Sequence, residues 1–126
     1  MITKLRLHNW KSFEDSTLYI DPLIFLIGTN ASGKSNVLDA FDFLRLHLNG
    51  VSLESAINQI RGGEDWIIKK GKQNAWIEVI VEEDHTEYLY KIEIVKDENG
   101  FHKQGETFQI LEDGNNDINR CYALLL

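Results

Sequence analysis

The chain opens with two stretches in which polar and apolar side chains alternate. Residues 2 to 8 and 16 to 20 both have this pattern, which is the period of a strand with one buried face. A short polar link joins them, so we predict an antiparallel pair. Asp21 and Pro22 then interrupt the pairing, because proline has no N–H to donate. The apolar run at 23 to 27 predicts a strand buried on both faces inside a parallel sheet.

A helical period follows at residues 34 to 48, where apolar residues recur at spacings of three and four. These residues predict a stripe that faces the core, and they are Val37, Leu38, Phe41, Leu44 and Leu48. Three charged residues, Asp39, Asp42 and Arg45, fall on another side of the same helix. Asn49 and Gly50 provide its stop signal.

The second half of the chain changes to a strand pattern. A short helix is predicted at 51 to 61, where two glycines end it. The stretches 75 to 84, 86 to 97 and 101 to 113 are rich in β-branched and aromatic residues. Acidic clusters and the dipeptide Asn99-Gly100, a strong hairpin signal, separate them. We therefore predict a three-stranded antiparallel meander.

Length and composition favour one domain, and the predicted strands and helices make it a member of the α/β class. The chain has 126 residues, of which 43% are hydrophobic and one is proline. Within 1–126 we distinguish four parts, which are 1–50 with the hairpin, loop and helix, 51–74 with a helix and loop, 75–113 with the meander, and 114–126 as a tail. The apolar end of the tail indicates either a fragment or a surface that a partner covers.

The net charge of −7 falls entirely on residues 51 to 126, whereas residues 1 to 50 are neutral. An acidic segment repels phosphate backbones, so we expect no direct nucleic-acid binding from this segment alone. The sequence has a single cysteine, Cys121, no signal peptide, and no apolar run near the roughly 20 residues of a membrane span. These features predict a cytoplasmic protein without membrane contact.

The stretch LIGTNASGKSN at 26 to 36 meets the pattern G-x-x-x-x-G-K-[ST] at Gly28, Gly33, Lys34 and Ser35. Glycine lets backbone N–H groups approach phosphate oxygens without a Cβ in the way. The start of the following helix directs unpaired N–H groups and the positive end of its dipole at the same place. Lys34 can reach the β- and γ-phosphates, and the Ser35 hydroxyl suits Mg²⁺. The motif therefore predicts a site for a nucleotide polyphosphate.

Together with the first hairpin, this motif resembles the N-terminal lobe of ABC-type ATPases of the SMC and RecF kind. Related predicted ATPases and overcoming-lysogenization-defect nucleases share the same opening. The family pattern begins with an Asn-aromatic-basic-Ser-Phe hairpin, here Asn9 to Phe13, and continues through the loop to Asp39 and Ala40. Ala31 stands where glycine is usual. The resemblance implies an ABC-type P-loop fold with a mixed sheet.

The resemblance also implies cofactors, partners and site residues. The cofactors are ATP and magnesium, and the expected partner is a second ATPase lobe or a second copy of the chain. The implied nucleotide-binding residues are Gly28, Thr29, Asn30, Ala31, Ser32, Gly33, Lys34, Ser35 and Asn36, with Lys11 and Ser12 from the hairpin. An ordinary solvated turn lysine is the alternative for Lys11, and we expect Phe13 to close the hairpin onto the core.

Several elements that hydrolysis requires in this family are missing from the sequence. It contains no Leu-Ser-Gly-Gly-type signature, and the acidic residues after the apolar run at 77 to 81 fit a hairpin better than a metal and base site. Gln104 and Gln109 are candidates for the glutamine that meets magnesium. We therefore expect a lobe that binds Mg-ATP and depends on other elements for hydrolysis.

Other patterns give weaker candidates. Residues 82 to 85 are acidic and end in His85, and we expect a solvated turn there rather than a metal cluster. The three tryptophans are expected to pack in the interior, with one of them as an alternative contact for the nucleotide base. Two other functions stay open, which are a non-catalytic interaction module and a small P-loop kinase. A kinase needs clustered lid arginines, and the four arginines of this chain are scattered.

Overall fold

The structure is a computed structural model that describes residues 1–20 and 31–111, with side chains from residue 35 onward in the second range. The strand predicted at 23 to 27, the loop residues 28 to 30 and the tail at 114 to 126 lie outside the described residues. The predicted division into four parts stays a prediction.

The described elements follow the predicted order. The strands are β1 (Ile2–Trp10), β2 (Phe13–Tyr19), β3 (Asn74–Glu83), β4 (Thr86–Asp97) and β5 (Gly100–Ile110). The helices are α1 (Ala31–Leu48) and α2 (Leu53–Gln59), and a short 3₁₀ turn follows at Gly63–Asp65. Both predicted helices, the first hairpin and the three-stranded meander are confirmed, and the fold is of the mixed α/β class.

The five strands form one sheet in the order β2-β1-β3-β4-β5, and all the described pairs are antiparallel. β1 joins the first hairpin to the meander, because it pairs with β2 on one edge and with β3 on the other. The register with β3 places His8 opposite Trp76. The sequence pattern did not predict this pairing. The parallel partner that would make the sheet mixed was predicted at 23 to 27, outside the described residues.

One face of the sheet packs against α1 and α2 to form the core. The apolar alternation of β1, β3 and β4 is buried on this face, while the other face carries charged and polar side chains together with Trp76, Ile80 and Leu89. Trp10 at the end of β1 is fully buried, and its ring centroid lies 5.7 Å from that of Phe43 on α1. Phe13 is partly buried against the same core, as expected. The core therefore ends directly beneath the tip of the first hairpin.

The buried stripe of α1 differs from the predicted one. Val37, Ala40, Phe43 and Leu44 are buried, whereas Leu38 is 43% exposed. The expectation for Leu38 was wrong. Because Ala40 and Phe43 are buried, the buried side of the helix is rotated away from Leu38. The rotation also takes Asp39 from the predicted polar side to a buried position, where only 9% of the residue is exposed.

The meander is closed by two tight turns. Asp84 and His85 form the first, and both have positive φ angles, of 50° and 65°, as a two-residue hairpin turn of type I′ requires. The expected turn is therefore confirmed at Asp84 and His85, whereas Glu82 and Glu83 still belong to β3. The second turn ends at Gly100, with φ of 109°. Among the residues that the structure describes, no group of three or more His, Cys, Asp or Glu side chains is placed to hold a metal ion.

Candidate functional site

The tip of the first hairpin is a tight turn with an unusual backbone. Asn9 and Lys11 have φ angles of 53° and 51°, which asparagine adopts more readily than lysine. The backbone N–H of Lys11 donates to the carbonyl of Ile67 over 2.7 Å, and the N–H of Lys69 donates to the carbonyl of Asn9 over 2.7 Å. These two bonds hold the segment after α2 along the hairpin tip.

A cluster of three charged side chains lies between the hairpin tip and α1. Lys11 Nζ donates to Asp39 Oδ2 over 2.7 Å and to the carbonyl oxygen of Arg61 over 2.7 Å. The Arg61 guanidinium donates to the same Asp39 oxygen over 3.2 Å. The Lys11 side chain is only 6% exposed and Asp39 13%, whereas Arg61 is 64% exposed. Lys11 is therefore a buried, paired cation, and the interpretation as a solvated turn lysine is wrong.

Asn36, in the second turn of α1, connects this cluster to the hairpin. Its side-chain amide donates to Ser12 Oγ over 2.8 Å, and its side-chain oxygen accepts from the Arg61 guanidinium over 3.1 Å. The indole N–H of Trp10 donates to the backbone carbonyl of Asn36 over 3.0 Å. We call the five connected side chains the polar ring, and its members are Lys11, Ser12, Asn36, Asp39 and Arg61.

A pocket of about 940 Å³ opens beside the polar ring. Its size is at the upper end of the range usual for small-molecule sites, roughly 300 to 1,000 Å³. One side consists of ring members, namely Lys11, Ser12, Asn36 and Arg61. The segment after α2 completes the lining with Gly62, Asp65, Trp66, Ile68, Lys69 and Lys70. Four of these ten residues are Lys or Arg and one is Asp, so the lining carries a formal charge of +3 in a protein whose net charge is −7.

The three tryptophans have different environments. Trp10 packs in the core, as expected, and Trp76 lies on the other face of the sheet, stacked on His8 at 5.3 Å between ring centroids. Trp66 is 68% exposed and lines the pocket, so the expectation that it packs in the interior was wrong. The left-handed Gly62, with φ of 88°, lies directly against it, because a Cβ at Gly62 would be 2.8 Å from the Trp66 Cβ.

The structure brings together Lys11, Ser12 and Asn36, three of the residues predicted to bind nucleotide. Ser35 lies half-buried at the start of α1, and the side chains at 31 to 34 are outside the described residues. Gln104 and Gln109 are exposed on the edge strand β5, and neither lines the pocket.

Sequence reasoning assigned no role in the site to Asp39 or Arg61. The available signal was the helical spacing, because Asp39 follows Asn36 by three residues and therefore shares its face of α1. For Arg61 the sequence offers no comparable signal, since its partners lie 22 and 25 residues earlier in the chain.

The family model described as AAA ATPase domain matches residues 1–122, so the chain belongs to this family. It is also similar to the DNA replication and repair protein RecF of Limosilactobacillus reuteri, strain DSM 20016, and to that of subspecies reuteri, strain JCM 1112. Each is 40% identical to it over 47 residues, a segment that covers 36% of this chain and 13% of the relative. The resemblance to the N-terminal lobe of SMC/RecF-like ATPases is thus confirmed. Among the described helices, none combines the length and the apolar character that crossing a membrane requires.

Proposed function

We propose that this lobe binds Mg-ATP, with the phosphates held by the loop at 28 to 36. The observation that carries the proposal is the cationic pocket beside the first turns of α1, which Lys11, Ser12 and Asn36 line. Those three residues were assigned to the nucleotide by the family resemblance, independently of any pocket. The start of α1 supplies backbone N–H groups that suit phosphate oxygens.

Residues of the phosphate-binding loop and of the pocket lining together fit a magnesium nucleotide. Lys34 supplies a full positive charge toward the β- and γ-phosphates, and the Ser35 hydroxyl is the type of oxygen ligand that Mg²⁺ accepts alongside phosphate oxygens. When bound, the metal would neutralise phosphate charge. The side chains of Ser12 and Asn36 offer hydrogen bonds next to this position, and Arg61, Lys69 and Lys70 attract the polyphosphate electrostatically.

Trp66 is the residue we assign to the nucleotide base. The exposed indole in the lining of this pocket offers a flat apolar surface, on which any base can stack. Stacking of this kind contributes about 1 to 3 kcal/mol per base. The ATP molecule would then extend from the start of α1, where the phosphates bind, to the segment after α2.

Hydrolysis by this lobe depends on elements that its sequence does not contain. Phosphoryl transfer to water relies on positioning and on charge stabilisation, and the phosphate-binding loop supplies only part of both. We propose that a second ATPase lobe or a second copy of the chain completes the site. The purified chain is then expected to bind ATP and to hydrolyse it slowly. The cytoplasmic location stays a prediction.

Isothermal titration calorimetry with Mg-ATP tests the proposal. Replacing Lys34 by alanine is expected to weaken binding about 10- to 100-fold, because a charge-assisted hydrogen bond to phosphate is lost. Lys103→Ala on β5 removes the same charge outside the pocket lining and is expected to leave the affinity unchanged. Full affinity in Lys34→Ala would contradict the proposal.

The same titration and a phosphorylation assay separate the alternative functions. If the wild-type chain binds no ATP at millimolar concentration, a non-catalytic interaction module is favoured. Phosphorylation of a nucleoside or metabolite by the purified chain would favour a small P-loop kinase instead.

A further inference from the structure

Asp39 is the only acidic member of the polar ring, and one of its oxygen atoms serves two cations. Its Oδ2 accepts from Lys11 Nζ at 2.7 Å and from the Arg61 guanidinium at 3.2 Å. The three charges leave the ring with a net charge of +1. Because Lys11 is 6% exposed and Arg61 64%, the buried lysine is neutralised by Asp39 and the excess positive charge lies on Arg61 at the pocket.

Arg61 depends on this carboxylate in two ways. Directly, its guanidinium is held between Asp39 and Asn36, which stand three residues apart on one face of α1. Indirectly, its backbone carbonyl accepts from Lys11 Nζ, and Asp39 fixes that ammonium group. Both the main chain and the side chain of Arg61 are therefore bonded to a lysine–aspartate pair that is almost completely buried.

We propose that Asp39 is a positioning residue of the nucleotide site, which holds the Arg61 guanidinium beside Asn36 at the pocket so that it attracts the polyphosphate of the bound nucleotide. The inference rests on the proposed function, since it assigns a role within the same site. Without the carboxylate, Lys11 and Arg61 are neighbouring like charges with nothing between them. The guanidinium then moves away from Lys11 and loses its fixed place.

The inference predicts a dependence between two substitutions. In the wild-type background, Arg61→Gln is expected to weaken ATP binding about tenfold, the loss of one charge-assisted contact. AMP carries fewer charges, so its affinity should change less than about twofold. In the Asp39→Asn background the guanidinium is no longer held, and Arg61→Gln should weaken ATP binding less than about twofold.

The experiment measures dissociation constants for ATP and AMP by calorimetry, together with melting temperatures. Asp39→Asn leaves Lys11 buried without a countercharge and can prevent folding, so the cycle is repeated in the double variant Lys11→Met/Asp39→Asn. That variant removes both partners of the buried pair while Arg61 still lacks its carboxylate. Asp42→Asn is the matched control, because Asp42 lies on the same helix, is 56% exposed and pairs only with Arg45 at 3.6 Å among the contacts described.

The outcomes separate this inference from the proposed function. An Arg61→Gln effect that is large in the wild type and in Asp42→Asn, but small in both Asp39→Asn backgrounds, is the expected result. An equal effect in every background would overturn the positioning role while ATP binding itself stands, since a carboxylate that only stabilises the fold changes the melting temperature and not this dependence. Absence of ATP binding in the wild type would overturn both.

Discussion

The pocket region and the meander are built from contacts of different range. In the meander, neighbours along the chain are neighbours in space, as the turn pairs Glu83 with Thr86 and Asp97 with Gly100 show. In the pocket region, the polar ring joins side chains 22 to 28 residues apart. Lys11 also reaches a carbonyl 50 residues away.

The two regions also differ in where their charges lie. The meander carries exposed acidic turns, whereas the pocket region contains a buried lysine–aspartate pair beside a cationic pocket. Burying an ion pair removes both charges from water, which stabilises a fold only where geometry and additional hydrogen bonds compensate. The meander is therefore a scaffold specified by local signals, whereas the site depends on long-range polar contacts.

The largest expected effect comes from breaking the buried pair. Asp39→Asn should lower the free energy of unfolding by about 3 kcal/mol, because Lys11 Nζ is left buried without its carboxylate. Glu106→Gln in the meander removes the charge that pairs with Lys103 at 3.5 Å but keeps a side-chain oxygen that can accept from the Tyr90 hydroxyl at 2.8 Å, so it should cost less than about 1 kcal/mol. Urea unfolding measures both, and equal losses would refute the contrast.

A smaller effect is expected from substituting two of the glycines with positive φ, Gly62 and Gly100. Gly62→Ala should lower the free energy of unfolding by about 2 kcal/mol and weaken ATP binding. An alanine is strained at φ of 88°, and its Cβ forces the Trp66 side chain to move. Gly100→Ala is strained at φ of 109°, but there the new Cβ meets the flexible end of Glu54. We expect a comparable or smaller loss of stability and an unchanged affinity for ATP. Equal affinities in the two variants would show that the Gly62–Trp66 contact is irrelevant to the nucleotide.

The smallest effect concerns Asp97 in the meander. Its carboxylate accepts the backbone N–H of Asn99 at 2.8 Å and lies 3.1 Å from His102, and these contacts lower its pKa below the ordinary 3.8. A lowered pKa in the folded state stabilises the protein above pH 3.8, and this contribution is lost as the pH falls through the folded-state pKa. The melting temperature of Asp97→Asn should therefore be slightly below that of the wild type at pH 7 and equal to it at low pH. Melting curves across this range test it, and a difference that grows on acidification would contradict the assignment.

The elements that sequence reasoning predicted well are those with local signals. The meander strands start and end close to their predicted positions because alternation and the Asn99-Gly100 turn mark them. The helix α1 was found from its apolar spacing, although the spacing alone did not show that Ala40 and Phe43 would be buried in place of Leu38. The nucleotide residues Lys11, Ser12 and Asn36 came from the family resemblance, and their role in binding stays a prediction.

The parts that sequence reasoning missed depend on partners far away in the chain. A carboxylate such as Asp39 looks like a surface residue until a cation is known to be buried against it, and Lys11 lies 28 residues earlier. The pairing of β1 with β3 has the same cause, because alternation defines a strand without naming its neighbour. Non-local contacts of this kind leave no pattern within a short window.

The position of β1 between β2 and β3 has a consequence for synthesis on the ribosome. β1 is made early, yet its second edge is covered only after β3, which ends at Glu83, has emerged. At usual translation rates of about 5 to 20 residues per second, this edge of β1 stays unpaired for roughly 4 to 15 s until β3 has been synthesised. During that interval the nascent hairpin offers an open backbone ladder to any extended segment nearby, so chaperone binding should concentrate on this window.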